Sequence, residues 1–386
     1  MDELPAAPLG VLRSRTSEKW REHPEDVIPM FVAEADFPLA EPIAAALHAA
    51  IERGDTGYVA SRTELPRAFS GFAERRWGWR LDTAHVQTTA DVSMGIVEIL
   101  RRIDVGTGLV ITPPVYPPFY MLAAEAGVPI VDVPLAAGGS LDLAGIQAAI
   151  DGGARAVLLC NPHNPLGHPH DAASLTALAR IVDEAGGIVI SDEIHAPLTH
   201  SDGRFTPWLA VSDAARRVGF ALHSASKAWN IAGLKCAMMI ADDPGRSAFL
   251  RSLPDEVGWR TGQFGVIGSI AAYDDGDEWL DRAILTIERN RRTLVARVRE
   301  ELPMAEIHEP RAGYLAWVDL GALGWDRDPA EVILERARVA LRAGSDFGPG
   351  GAGRVRVNLA CDPALLDEAV DRIVSVARAD LPGSTS

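Results

Sequence analysis

Between Leu109 and Ala241 the chain alternates helix-like stretches with short, unbroken apolar runs. The runs are Leu109–Thr112 (LVIT), Val128–Val133 (VPIVDV), Ala156–Cys160 (AVLLC), Ile188–Ile190 (IVI), Val218–Leu222 (VGFAL) and Cys236–Ala241 (CAMMIA). None of them alternates apolar with polar positions. Such runs, set between helical patterns, read as parallel strands covered on both faces. A helix over Ala172–Ala185 fits between two of them. The pattern predicts an α/β layer fold with a mostly parallel sheet flanked by helices. From about Asp277 the texture changes. An amphipathic helix is expected over Trp279–Leu302, then a strand over Tyr314–Leu320 and a helix over Pro329–Ala343. A strand over Arg354–Leu359 and a last helix over Pro363–Ala379 complete a smaller α+β part.

Composition sharpens this in a few places. At 386 residues the chain is too long for one compact core, so a large domain plus a smaller one is expected. The formal net charge of -16 disfavours binding to phosphate backbones, so nucleic acid is not an expected partner. No run is long and apolar enough for a membrane span, and the acidic, Pro-containing start does not read as a secretory leader. Three widely spaced cysteines (Cys160, Cys236, Cys361) suit reduced thiols and a cytoplasmic location. One count stands apart. Of 37 basic side chains only Lys19, Lys227 and Lys235 are lysines. A guanidinium stays protonated and cannot form an imine, whereas an amine can. In so arginine-rich a chain, Lys227 and Lys235 are therefore candidates for amine chemistry.

Ligands of open parallel sheets bind beyond the carboxyl ends of the strands. After LVIT comes Tyr116; after AVLLC come Asn161, His163 and Asn164. IVI is followed by Asp192, Glu193 and His195, and VGFAL by Ser224, Ser226, Lys227 and Asn230. A lysine can hold an aldehyde as an imine. A carboxylate can keep a pyridine nitrogen protonated, an Asn can hydrogen-bond a phenolic oxygen, and an aromatic can stack on the ring. Hydroxyls and backbone N–H groups can hold a phosphate. Together these are the requirements of pyridoxal 5′-phosphate.

The chain resembles fold-type I pyridoxal-phosphate enzymes of the aminotransferase class I/II superfamily, within it the MalY/PatB branch of cystathionine β-lyases and C–S lyases. The resemblance is carried by Phe31–Phe37 (FVAEADF), Thr56–Tyr58 (TGY), Thr112–Phe119 (TPPVYPPF), Asn161–Gly167 (NPHNPLG) and Ser191–His195 (SDEIH). It continues through Ser224–Leu234 (SASKAWNIAGL), Gly313–Asp319 (GYLAWVD) and Gly344–Asn358 (GSDFGPGGAGRVRVN). It implies Lys227 as the imine lysine and the base at Cα, Asp192 as partner of the ring nitrogen, and Asn164 as donor to the ring O3′. His195 stands where aminotransferases usually carry a Tyr directed at O3′. Tyr116 matches the stacking ring, and Ser224 and Ser226 the phosphate ligands. Lys235 falls where many relatives place a phosphate-binding Arg. Tyr58 is implied to reach the phosphate from a second copy in a homodimer with interfacial active sites. Arg356 matches the arginine for the substrate carboxylate, beside Asn164 and Tyr116. Residues 46–276 correspond to the large domain, with 1–45 and 277–386 forming the small one.

Three stretches depart from the branch. The usual ADMDF reads Ala33-Glu34-Ala35-Asp36-Phe37, and Pro-Thr-Gly reads Pro165-Leu166-Gly167. The Gly-Val-Val of the phosphate turn reads Ala90-Asp91-Val92, which retains backbone donors but adds a carboxylate beside the phosphate. The expected function is a C–S β-lyase cleaving cystathionine or another cysteine S-conjugate. An aminotransferase, a decarboxylating or oxidative reaction, and a regulator without turnover remain alternatives, because the cofactor machinery is shared. His163, His168 and His170 lack zinc-ligand spacing on a helix, so no metal is expected. Gly348–Gly353 matches a dinucleotide fingerprint by letters but opens a strand, not a helix.

Overall fold

The computed structural model describes residues 2–60 and 63–380. Seven strands form the main sheet. Across it they run Val86–Thr89, Ala237–Ile240, Gly219–His223, Ile188–Asp192, Ala156–Cys160, Leu109–Ile111 and Ile130–Asp132. The three central strands are buried along their whole length. Within them, alternate residues enter opposite cores: Val157, Leu159 and Val189 face one way, Leu158, Ile190 and Phe220 the other. Burial on both faces is why these segments read as unbroken apolar runs.

One strand departs from the expected direction. Ala237–Ile240 pairs antiparallel with both neighbours, while the remaining pairings are parallel. A parallel return generally needs a helical crossover. Residues 224–236 instead coil into turns and a single 3₁₀ turn at Ala232–Leu234, so the chain comes back beside the strand it left. The edge strand Val86–Thr89 carries Gln87, Thr88 and Thr89 and has no apolar run to announce it.

A second, antiparallel sheet holds Arg342–Ala343, Arg354–Asn358, Leu315–Asp319 and Glu306–His308, in that order. The long helix spans Asp277–Glu301 and the last helix Pro363–Ala379. The helix expected over Pro329–Ala343 stops at Ala337, because Arg338 turns left-handed (φ 55°). The chain beyond it, Val339–Ala340, pairs in parallel with Ile28–Pro29. Backbone bonds carry this N-terminal segment onward through the second sheet: Asn358 N–H donates to the Met30 carbonyl and Asp36 N–H to Ala360. Lys19 and Asp36 meet beneath it at 2.9 Å, both side chains fully buried. Among the described residues no helix is long and apolar enough to cross a membrane.

Candidate active site

Strand register brings the polar loops together. Cys160 lies opposite Asp192, and Asp192 opposite Leu222, so the three central strands end level. The next residues of each strand, Asn161–Asn164, Glu193–His195 and Ser224–Lys227, therefore rise around one cavity. Its wall holds Asp91, Val92, Tyr116, Asn164, Asp192, His195, Ser226, Lys227 and Lys235.

Lys227 is one of two lysines in this wall among the described residues. Burial, and then the Arg356 guanidinium, lower its ammonium to about 8, against a weaker opposing pull from Glu34 and Asp192. Its Nζ donates to the Ala33 carbonyl at 3.1 Å, which the Tyr314 hydroxyl also bonds at 2.9 Å. Asn230, left-handed at φ 57°, holds the adjoining Ala35 by both its N–H and its carbonyl. Asn358 bonds the Val32 and Glu34 carbonyls. Three side chains thus fix the strap that carries the Lys227 acceptor.

Asp192 ends its strand with the carboxylate facing the cavity. Burial pushes it up to about 7, while the Ile194 amide, donating at 3.1 Å, and Lys227 pull it back. A protonated ring nitrogen placed against it would return it to the ionised form. Burial holds His195 down to about 3, so it is a neutral imidazole, and its buried Nδ1 has no partner among the described residues. Tyr116 sits edge-on to Phe119 and is pushed up to about 12 by burial, so its ring is presented uncharged.

Arg356 enters from the second sheet. Nη1 donates to Asn164 Oδ1 at 3.1 Å and Nη2 to the Phe31 carbonyl at 2.9 Å, while the guanidinium lies over the Phe347 ring. Its buried Nε has no partner among the described residues. Burial lowers it to about 10, so it stays cationic at neutral pH. Arg354, two residues earlier, is bound instead to Asp319 and to the Gly350 carbonyl. The glycine-rich loop before them approaches Tyr120 so closely that a Cβ on Gly348 (φ 84°) would strike its hydroxyl.

The first turn of Val92–Leu100 and the Ser226 hydroxyl also line the cavity, with Ser224 next to Ser226. Ser224 and Ser226 lie 2.7 Å apart, and Ser224 also donates to the Cys236 carbonyl. Asp91 caps the helix through Met94 N–H at 2.8 Å and pairs with Lys235 at 3.1 Å. Tyr58 is elsewhere: 84% exposed, edge-on to Trp259 and outside the wall of this cavity.

Beneath the site, Glu193 lies 2.8 Å from His223, both fully buried, and accepts from Ser191 and the Trp208 amide. Glu193 lies within the SDEIH stretch, whereas no motif in the sequence singles out His223. The histidines of the Asn161–Gly167 region contact edge to face, His163 to His170 and His168 to His170. Among the described residues no group of three or more His, Cys, Asp or Glu side chains is arranged to hold a metal.

The model of the family described as aminotransferase class I and II matches residues 27–373. The chain belongs to that family. It is 43% identical to a putative cystathionine β-lyase of Mycobacterium leprae, over 94% of this chain and 95% of that one. It is 33% identical to a cystathionine β-lyase of Corynebacterium glutamicum, over 95% and 98%. Among solved structures, a putative PLP-dependent β-cystathionase of Corynebacterium diphtheriae superposes with a TM-score of 0.93, at 31% identity over 97% of this chain and 99% of that one. Membership accounts for the fold-type I architecture, with its mostly parallel sheet and separate antiparallel sheet.

Proposed function

We infer that this chain is a pyridoxal-phosphate-dependent C–S β-lyase that cleaves cystathionine or another cysteine S-conjugate to a thiol, pyruvate and ammonia. One observation carries the reading. Lys227 and Asp192 share one cavity wall, and Arg356, which donates to Asn164 of that wall, lines an adjoining pocket that shares Lys227 and Tyr116 with it, in a chain related over nearly its full length to cystathionine β-lyases.

The donor set fits the cofactor. Lys227 would hold its aldehyde carbon, Asp192 its ring nitrogen, Asn164 and His195 its phenolic side, and Tyr116 its face. The Val92 turn, Ser224 and Ser226 would hold its phosphate. When bound, the cofactor supplies an electron sink that stabilises negative charge at the substrate Cα. The chain's own groups do the rest. Arg356 anchors the substrate carboxylate and so orients the Cα–H bond toward Lys227. The Lys227 Nζ, as a free amine, would take the Cα proton, and His195, being neutral, adds no second positive charge beside it. The Cβ–S bond then breaks, the electron pair leaves with the thiolate, and one water hydrolyses the released aminoacrylate to pyruvate and ammonia. In an assay, the purified chain with the cofactor and cystathionine should release thiol and pyruvate in equal amounts. Amino transfer to an added 2-oxo acid without thiol release would sink the lyase reading.

The resemblance further implies a homodimer in which Tyr58 completes the partner's site, and its exposure outside the cavity wall of its own chain supports this. Mixing an inactive Tyr58→Ala variant with inactive Lys227→Ala is then expected to restore activity, because hybrid dimers carry one intact site. Size-exclusion chromatography would report the dimer independently. A boundary near residue 277 is supported by the seven-stranded sheet lying wholly before it and the four-stranded sheet wholly after it, whereas residue 46 falls inside the helix Glu41–Glu52. Three free, buried cysteines suit a reducing cytoplasm.

A further inference from the structure

We propose that Lys235 serves the cofactor phosphate indirectly, as the counter-ion of Asp91, and is not itself a phosphate ligand. This rests on the reading of the cavity as a pyridoxal-phosphate site. Asp91 is an unusual residue to find there. It opens the helix Val92–Leu100 in an extended conformation, and one carboxylate oxygen accepts from Met94 N–H. That cap leaves the Val92 and Ser93 amides at the open end of the helix, where an anion is bound by unpaired donors and by the helix dipole. The same cap fixes a negative charge beside that anion. Unless it is cancelled, the carboxylate opposes a phosphate dianion at the position that the amides favour.

Lys235 is placed to cancel it. Its Nζ lies 3.1 Å from the second carboxylate oxygen of Asp91. The backbone reaches this position at a cost, because Lys235 adopts the left-handed region (φ 59°, ψ 76°), which side-chain-bearing residues disfavour. Gly262 N–H holds its carbonyl there at 2.9 Å. Stability is a poor explanation for the pair. The side chains are 58% and 30% exposed, and pairs in that range contribute little. The remaining phosphate donors are neutral: the Ser226 hydroxyl in the wall, the Ser224 hydroxyl 2.7 Å from it and already bonded to the Cys236 carbonyl, and backbone amides. Lys227, the other cation of that wall among the described residues, is committed to the aldehyde end.

The two roles separate in a double-mutant cycle read as cofactor affinity, with tryptophan fluorescence following pyridoxal phosphate added to the apoprotein. Asp91→Asn keeps a capping side chain and removes the charge. Lys235→Met alone should weaken binding by about tenfold or more, whereas in the Asp91→Asn background it should cost less than about threefold. Lys235→Arg should bind like the parent chain. Pyridoxal, which lacks the phosphate, should bind all variants alike. An undiminished loss from Lys235→Met in the Asp91→Asn background would mean a direct phosphate contact and overturn the proposal. So would equal losses for pyridoxal, which would mark a structural effect. A parent chain that binds neither compound would refute the cofactor reading itself, a result distinct from both.

Discussion

Lys227→Ala is expected to lower kcat for cystathionine cleavage by at least ~10³-fold and to abolish the visible absorbance band of the cofactor-loaded protein. Both follow from one amine in the cavity wall. The substitution removes the nucleophile that captures the cofactor aldehyde and the base that takes the Cα proton. It leaves the Asp192, Asn164 and Arg356 contacts in place, so the variant should still bind the cofactor, only more weakly and without colour. The pH dependence of the unmodified chain gives a second readout. An ammonium is inert toward an aldehyde, so capture needs the neutral amine. Burial lowers Lys227 from 10.5 to about 8, which places the rise of the capture rate below and around pH 8 and the plateau above it. Arg356 is the second cause of that lowering. Arg356→Gln should therefore displace the rise to higher pH, besides raising KM through loss of the carboxylate anchor. A capture profile with its midpoint near 10 would show that Lys227 is solvated and that the burial argument is wrong.

The main sheet was legible because its central strands are covered on both faces, and burial writes itself as an unbroken apolar run. Val86–Thr89 left no such mark, and the reversed direction of Ala237–Ile240 could not be read from a run that looks the same either way. The strand-end residues were legible too, since level strands put Asn164, Asp192 and Lys227 on one rim. What periodicity could not supply were contacts between distant segments. Arg356 meets Asn164 across 192 positions, and Asn230 meets Ala35 across 195. Tyr314 lay within GYLAWVD and Asn230 within SASKAWN, so a motif signal existed, but nothing in it specified the Ala33 strap as their common target. Lys19, the lysine without a chemical role, is structural: it is fully buried and belongs to the support of the same strap.

That support sets the largest stability effect expected in the molecule. Lys19→Met should destabilise the fold by about 3–5 kcal/mol, the range typical when one member of a buried ion pair is removed. The reason lies in Asp36. Its carboxylate has no solvent to turn to, and among the described residues it would keep the Trp20 indole N–H, at 2.9 Å, as its one side-chain partner. A carboxylate buried with one neutral donor costs more than the missing pair ever contributed. Urea unfolding should show a lower midpoint, and the double variant Lys19→Met/Asp36→Asn should recover most of it, because Asn keeps an acceptor for Trp20 without the charge. Lys19→Arg is not expected to substitute, since the pocket closes around a compact ammonium that also donates to the Glu34 carbonyl at 3.3 Å. The effect should reach the chemistry. Glu34 adjoins Ala33, whose carbonyl holds both Lys227 and Tyr314, so loosening residues 33–36 frees the catalytic amine from its acceptor. Reduced kcat with little change in KM should therefore accompany the lost stability in Lys19→Met, and both should return together in the double variant. Recovery of stability without recovery of kcat would separate the ion pair from the positioning of Lys227.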